Sequence, residues 1–153
     1  MALFNLSDIR RELRRNERLI GIDPGSKIIG IALSDVLLTL ATPYTALRRR
    51  KLKENAAEIA DIARKEGAAG LVVGLPLSMD GSIGPAAQAA NDWAEALSAA
   101  TGLPAALWDE RLSSAAVNRF LIAEMDLSRR KRSQATDRMA AAWLLQSALD
   151  ASR

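Results

Sequence analysis

The stretch RLIGIDPGSKIIGIALSD, residues 18–35, decides how the rest of the chain is read. Two runs rich in β-branched residues, RLIGID and IIGIALS, flank PGSK, and this pattern predicts two strands joined by a hairpin. Gly25 and Gly30 keep that hairpin compact. The first run carries Asp23 to its end, where burying a lone carboxylate is costly unless donors or a cation meet it. Two readings satisfy that requirement. Asp-Pro-Gly is turn chemistry, so Asp23 can accept bonds within an Asx-type turn. Alternatively, the strand end aims it at a site shared with other elements.

Working outward, a third strand is expected within LLTLATPYTAL (37–47), with Pro43 favouring a sheet edge or a bulge. Three successive strands predict an antiparallel meander. Leu52, Ala56, Ile59, Ile62 and Ala63 then mark a helix ending near Gly67, and GLVVGLP (70–76) is a short apolar buried strand. LSMDGSIGP (77–85) reads as a turn-rich loop, AAQAANDWAEALSAATG (86–102) as a helix, and PAALWDE (104–110) as the next strand. SSAAVNRFLIAEM (113–125) is read as a helix, LSRRKRSQA (127–135) as a basic linker, and a final helix is expected from about Thr136 to Leu149. The order β-β-β-α-β-α-β-α-α predicts an α/β domain: a mixed five-stranded sheet flanked by helices, its later strands parallel through right-handed crossovers. Residues 1–17 form a basic amphipathic helical extension on Leu6, Ile9 and Leu13, capped by Ser7 or Asp8, and 18–153 form the domain.

Composition narrows the chemistry. A chain of 153 residues with 49% hydrophobic content is expected to fold as one unit. It has no cysteine and no histidine, which excludes disulfides, thiolate or histidine zinc sites and the Ser-His triad. Any catalysis therefore rests on carboxylates, lysine, hydroxyls or a bound metal. No apolar run approaches a membrane span and the start lacks a signal-like segment, so a cytoplasmic protein is expected. Of the 21 Lys and Arg, 14 fall in three stretches, 10–18, 48–53 and 129–132. Such clusters suit a polyanion such as nucleic acid, or are merely solvated helix faces.

The acids Glu54, Glu58, Asp61 and Glu95 lie on expected helix surfaces. Asp109 and Glu110 instead end the last strand, and because neighbouring strand residues face opposite sides, one of the two points toward a shared site. A salt bridge with Arg111 is the plainer reading. Asp137 opens the expected final helix over a buried stripe of Ala141, Leu144 and Ala148, where an acid also complements the helix dipole. Strand ends and a helix start can converge at one sheet edge. A carboxylate cluster without histidine would raise its own pKa values until a hard divalent cation bound, with Mg²⁺ or Mn²⁺ favoured by oxygen ligands. Metals so held can activate water and stabilise the leaving oxygen in phosphodiester hydrolysis. Lys27, Ser82, Arg111 and the run Arg129, Arg130, Lys131 and Arg132 are candidate phosphate contacts. Trp93, Trp108 and Trp143 are expected to pack rather than stack on bases.

GIDPGSKIIGIALSD, LVVGLPLSMDGSIGP, DERLSS and DRMAAAWLLQ, in that order over residues 18–150, resemble the YqgF family of RNase H-like proteins, known as Holliday junction resolvases and as pre-16S ribosomal RNA nucleases. The resemblance implies a metal-dependent nuclease whose acids map to Asp23, to Asp109 and Glu110, and to Asp137. It implies trimming of the 5′ end of a ribosomal RNA precursor, with branched DNA as the alternative substrate; the sequence leaves monomer or homodimer open, and paired cuts on a four-way junction would need a symmetric dimer. Many RNase H-like nucleases end the fourth strand in an acid; here it ends in GLP, so the carboxylate count rests on Asp109 or Glu110. DPGSKIIG also looks like the first phosphate loop of actin-like ATPases, which need a second domain, and a non-catalytic RNA-binding assembly module would share the fold.

Overall fold

The computed structural model describes residues 5–76, 82–109 and 129–152, with side chains in the last segment described from Arg138 onward. Glu110, Arg111 and the helix expected over 113–125 lie outside the described residues. Five strands, β1 (Arg18–Pro24), β2 (Ile28–Ser34), β3 (Ala41–Arg48), β4 (Ala68–Leu75) and β5 (Ala105–Asp109), form one sheet in the order β3-β2-β1-β4-β5. The first three are antiparallel neighbours, while β1 with β4 and β4 with β5 are parallel. The mixed sheet expected from the sequence is therefore the one observed. Pro43 takes both roles expected of it: β3 is an edge strand, and its register with β2 shifts where Ala32 pairs Pro43.

Four helices are described: α1 (Leu6–Glu12), α2 (Leu52–Glu66), α3 (Pro85–Thr101) and α4 (Arg129–Ala151). They divide by sheet face. Ile20, Ile22, Ile29, Ile31, Leu71 and Val73 pack with Ile59 of α2 and Trp93 and Leu97 of α3. On the opposite face Leu19, Ala32, Val72 and Ala106 pack with Leu6 and Ile9 of α1 and Ala141, Leu145, Ala148 and Leu149 of α4. The cap of α1 is Asn5 rather than Ser7 or Asp8, its side chain accepting from the Ser7 N–H at 2.9 Å. Arg10 bonds the Leu149 carbonyl at 3.3 Å and Ser152 Oγ at 3.1 Å, tying α1 to the end of α4.

The largest departure from expectation is in α4. The basic run 129–135 is not a linker but the first two turns of this helix. Arg, Lys, Gln and Ala are all good helix formers, and no Gly or Pro interrupts them. Position 137 consequently lies in the third turn, and an acid there has left the first-turn region in which the helix dipole would favour it.

Candidate active site

The alternation of β1 assigns each side chain to a face. Ile20 and Ile22 enter the α2–α3 core and Leu19 the α1–α4 core. Gly21 faces α4 so closely that a Cβ there would lie 2.7 Å from Leu145 Cβ and 3.1 Å from the Ala141 carbonyl oxygen. Asp23, two residues on, takes the face of α4, and it is 4% exposed. The apolar run thus delivers a carboxylate into a buried position at the sheet end.

The turn that follows is tightly determined. The Gly25 N–H donates to the Asp23 backbone carbonyl at 2.9 Å, and a Cβ on Gly25 would lie 2.2 Å from the Ile28 carbonyl oxygen. Only glycine fits there. From the end of β3, the Arg49 N–H donates to the Lys27 carbonyl at 2.8 Å and its guanidinium to the Gly25 carbonyl at 3.0 Å. The same guanidinium lies over the Trp93 ring, 5.2 Å from its centroid. Asp23's turn is therefore held by Arg49 from the end of β3, itself backed by Trp93 of α3, a contact that a run of three arginines gave no means of foreseeing.

Strand directions bring further candidates to this end. β4 and β5 run parallel to β1, so Leu75 and its partner Asp109 end there too. Leu107 packs on the α2–α3 core and Trp108 on the α1–α4 core, so Asp109 takes the face opposite to Asp23. On Asp23's face its partner in β2 is Gly30, the β4 side carries Gly74, and beyond these side-chain-free positions lies Trp108 of β5, whose indole N–H bonds Ser147 Oγ at 3.3 Å.

Helix α4 runs antiparallel to β1, with Ala141 and Leu145 at Gly21 and Leu149 near the start of the strand. Two strand residues advance about 6.6 Å and one helical turn about 5.4 Å, so the turn before Ala141, which carries position 137, runs toward the level of Asp23. The side chains of Asp137 and of Arg129, Arg130, Lys131 and Arg132 lie outside the described residues, as do Glu110 and Arg111. Lys27 is exposed at the hairpin tip, and Ser82 is exposed ahead of α3. Among the described residues, no three acids come together as a metal-binding group. Trp93 is buried as expected, while Trp108 and Trp143 are half-buried.

Asp35 has a different task at the opposite sheet end, in the β2–β3 loop. Partial burial pushes its pKa up, but bonds from the Leu40 N–H, the Thr39 hydroxyl and N–H and its own backbone outweigh this and hold the carboxyl below its ordinary value. The loop it organises includes Leu38, at a left-handed φ of 58°.

A family model described as RuvX, Holliday junction resolvase, matches residues 17–151. The chain is 68% identical over 150 residues to a protein of Acidiphilium cryptum named "Putative pre-16S rRNA nuclease", covering 98% of this chain and 94% of that one. It is 62% identical over 151 residues to a protein of the same name from Gluconacetobacter diazotrophicus, covering 99% of this chain and 98% of that one. Among solved structures, T. thermophilus RuvC in complex with Holliday junction substrate aligns with a TM-score of 0.54 at 17% identity, covering 88% of this chain and 94% of that one. A second T. thermophilus RuvC structure gives 0.51 at 15% identity, over 88% and 95%. This likeness concerns the fold, and it is RNase H-like.

Proposed function

Because the chain belongs to the RuvX family of Holliday junction resolvases, we propose that it is an endonuclease hydrolysing phosphodiester bonds in structured nucleic acid, its substrate being the 5′ region of a pre-16S ribosomal RNA. The observation that carries the reading is Asp23: a carboxylate 4% exposed at a strand end, on a turn fixed by Gly25 and Arg49. No helix among the described residues is long and apolar enough to cross a membrane.

The donor set fits a hard divalent cation. It offers only carboxylate oxygens, and a buried carboxylate at a sheet end is favoured by a positive partner. Asp23, Glu110 and Asp137 would hold the ion, Mg²⁺ or Mn²⁺. Glu110 is chosen over Asp109 because Asp109 takes the other face of the sheet. When bound, such an ion supplies activation of water and charge stabilisation at the leaving oxygen. The chain's own residues position the strand: Lys27 approaches phosphate from the hairpin tip, Ser82 from the loop ahead of α3, and Arg111 and Arg129–Arg132 extend the contacts. The names of the relatives favour ribosomal RNA, and the family description favours a four-way DNA junction.

The deciding experiment gives the protein both substrates in parallel with Mg²⁺ or Mn²⁺. Cleavage in the 5′ extension of a small-subunit precursor, with the junction left intact, is the expected result. Cutting of the junction alone would reassign the substrate, and binding without cutting of either would make the chain an assembly module.

A further inference from the structure

The basic run RRRKLK, residues 48–53, stands out in the sequence by charge clustering alone, and the fold gives it a location. β3 ends at Arg48, which pairs Ile28 at the start of β2, so the run emerges beside Lys27 at the same sheet end as Asp23. One member turns inward: Arg49 bonds the Gly25 carbonyl and covers Trp93. The others turn outward, with Arg48, Arg50, Lys51 and Lys53 all exposed. Among the described residues no ion pair engages them, whereas Arg11 pairs with Asp8 and Arg64 with Asp61.

The backbone beneath these cations is built, not slack. Asn55, fully buried, accepts from the Arg50 N–H at 2.8 Å and donates to the Arg48 carbonyl at 3.1 Å and to Glu58 at 2.9 Å. A buried amide satisfied on three sides fixes the turn's shape. It also turns Glu58 toward the fold instead of toward the cations. Exposed like charges at this density repel one another, and an anion with regularly spaced charges relieves that repulsion.

Resting on the nuclease reading above, we propose that Arg48, Arg50 and Lys51, with Lys27, form a phosphate-binding track along which the nucleic-acid backbone enters the Asp23 edge. Arg49 couples that track mechanically to the turn carrying Asp23. The track would contact phosphates and carry no base preference, so RNA and DNA of equal charge would gain alike.

The test compares two triple variants of the full chain, each losing three exposed cations. Arg48→Ala/Arg50→Ala/Lys51→Ala removes the track, whereas Arg14→Ala/Arg15→Ala/Lys65→Ala removes the same charge at the opposite sheet end. Binding to a labelled ribosomal precursor fragment and to a four-way DNA junction is measured against salt, without divalent metal so that neither is cut. The track variant is expected to lose affinity, its log–log salt slope falling by roughly 0.7–0.9 for each phosphate contact removed. The control is expected to keep the wild-type slope. A wild-type slope in the track variant, or an equal fall in the control, would overturn the proposal while leaving the nuclease reading intact. A slope unchanged on both nucleic acids, with binding to phosphatidylserine vesicles lost, would give the surface to a membrane instead. A wild-type chain that neither binds nor cuts nucleic acid would remove both readings.

Discussion

Gly21 and Leu145 meet at the contact that sets the register between β1 and α4: a β-carbon on Gly21 would stand 2.7 Å from that of Leu145. Neither partner can yield easily, because the Ala141 carbonyl lies 3.1 Å away on the same side. Gly21→Ala is therefore expected to force the helix off the strand and lower stability by about 1–3 kcal/mol, the usual cost of overpacking. Urea denaturation measures it. Cleavage should fall as well, since α4 carries Asp137 toward Asp23's level.

Arg49 is expected to act as a positioning residue. Arg49→Ala removes a cation–π contact worth about 0.5–1 kcal/mol and a hydrogen bond worth about 0.5–1.5 kcal/mol. The turn after Asp23 should loosen, so kcat for precursor cleavage falls while KM changes little. Arg49→Lys keeps a cation near Trp93 without the guanidinium fork and should recover only part of kcat. Equal loss in kcat and thermal stability for both variants, with no partial recovery, would make Arg49 merely structural.

Asn55→Ala strands the Arg50 N–H and the Arg48 carbonyl. Stability should drop by about 1–3 kcal/mol, the cost of unsatisfied buried polar groups, as read by chemical denaturation.

Asp35 predicts an acid dependence. Its folded pKa is depressed, so its stabilisation is present above the unfolded pKa and is lost as pH falls through the folded one. Wild type should lose stability across and below the ordinary aspartate range, and Asp35→Asn should be less stable near neutral pH with a shallower acid slope. Denaturation midpoints at several pH values test this.

Much of this was legible because strand chemistry is local. Hydrophobic runs, Pro-Gly punctuation and Pro43 predicted the meander, and the carboxylate at the end of β1 stood out against its apolar neighbours. Asp109 and Glu110 could not be separated, because the face of a strand end depends on which core its predecessors enter. The structure settles that for Leu107 and Trp108 alone. The first turns of α4 were hidden because four consecutive cations mask any apolar stripe, leaving intrinsic helix propensity as the only signal. Arg49 was invisible because it acts on carbonyls of the distant β1–β2 turn, whereas Asn55 acts on backbone groups of its own turn, whose shape a run of cations does not reveal.

Asp23 is proposed to serve metal-dependent phosphodiester hydrolysis. The most direct measurement compares wild type with Asp23→Asn on a 5′-extended small-subunit ribosomal RNA precursor, with and without Mg²⁺ or Mn²⁺, after denaturation has established that both are folded. Wild type is expected to cut only with metal, and the variant to lose cutting while binding persists. Metal-dependent cutting retained by Asp23→Asn at the wild-type rate would contradict this role.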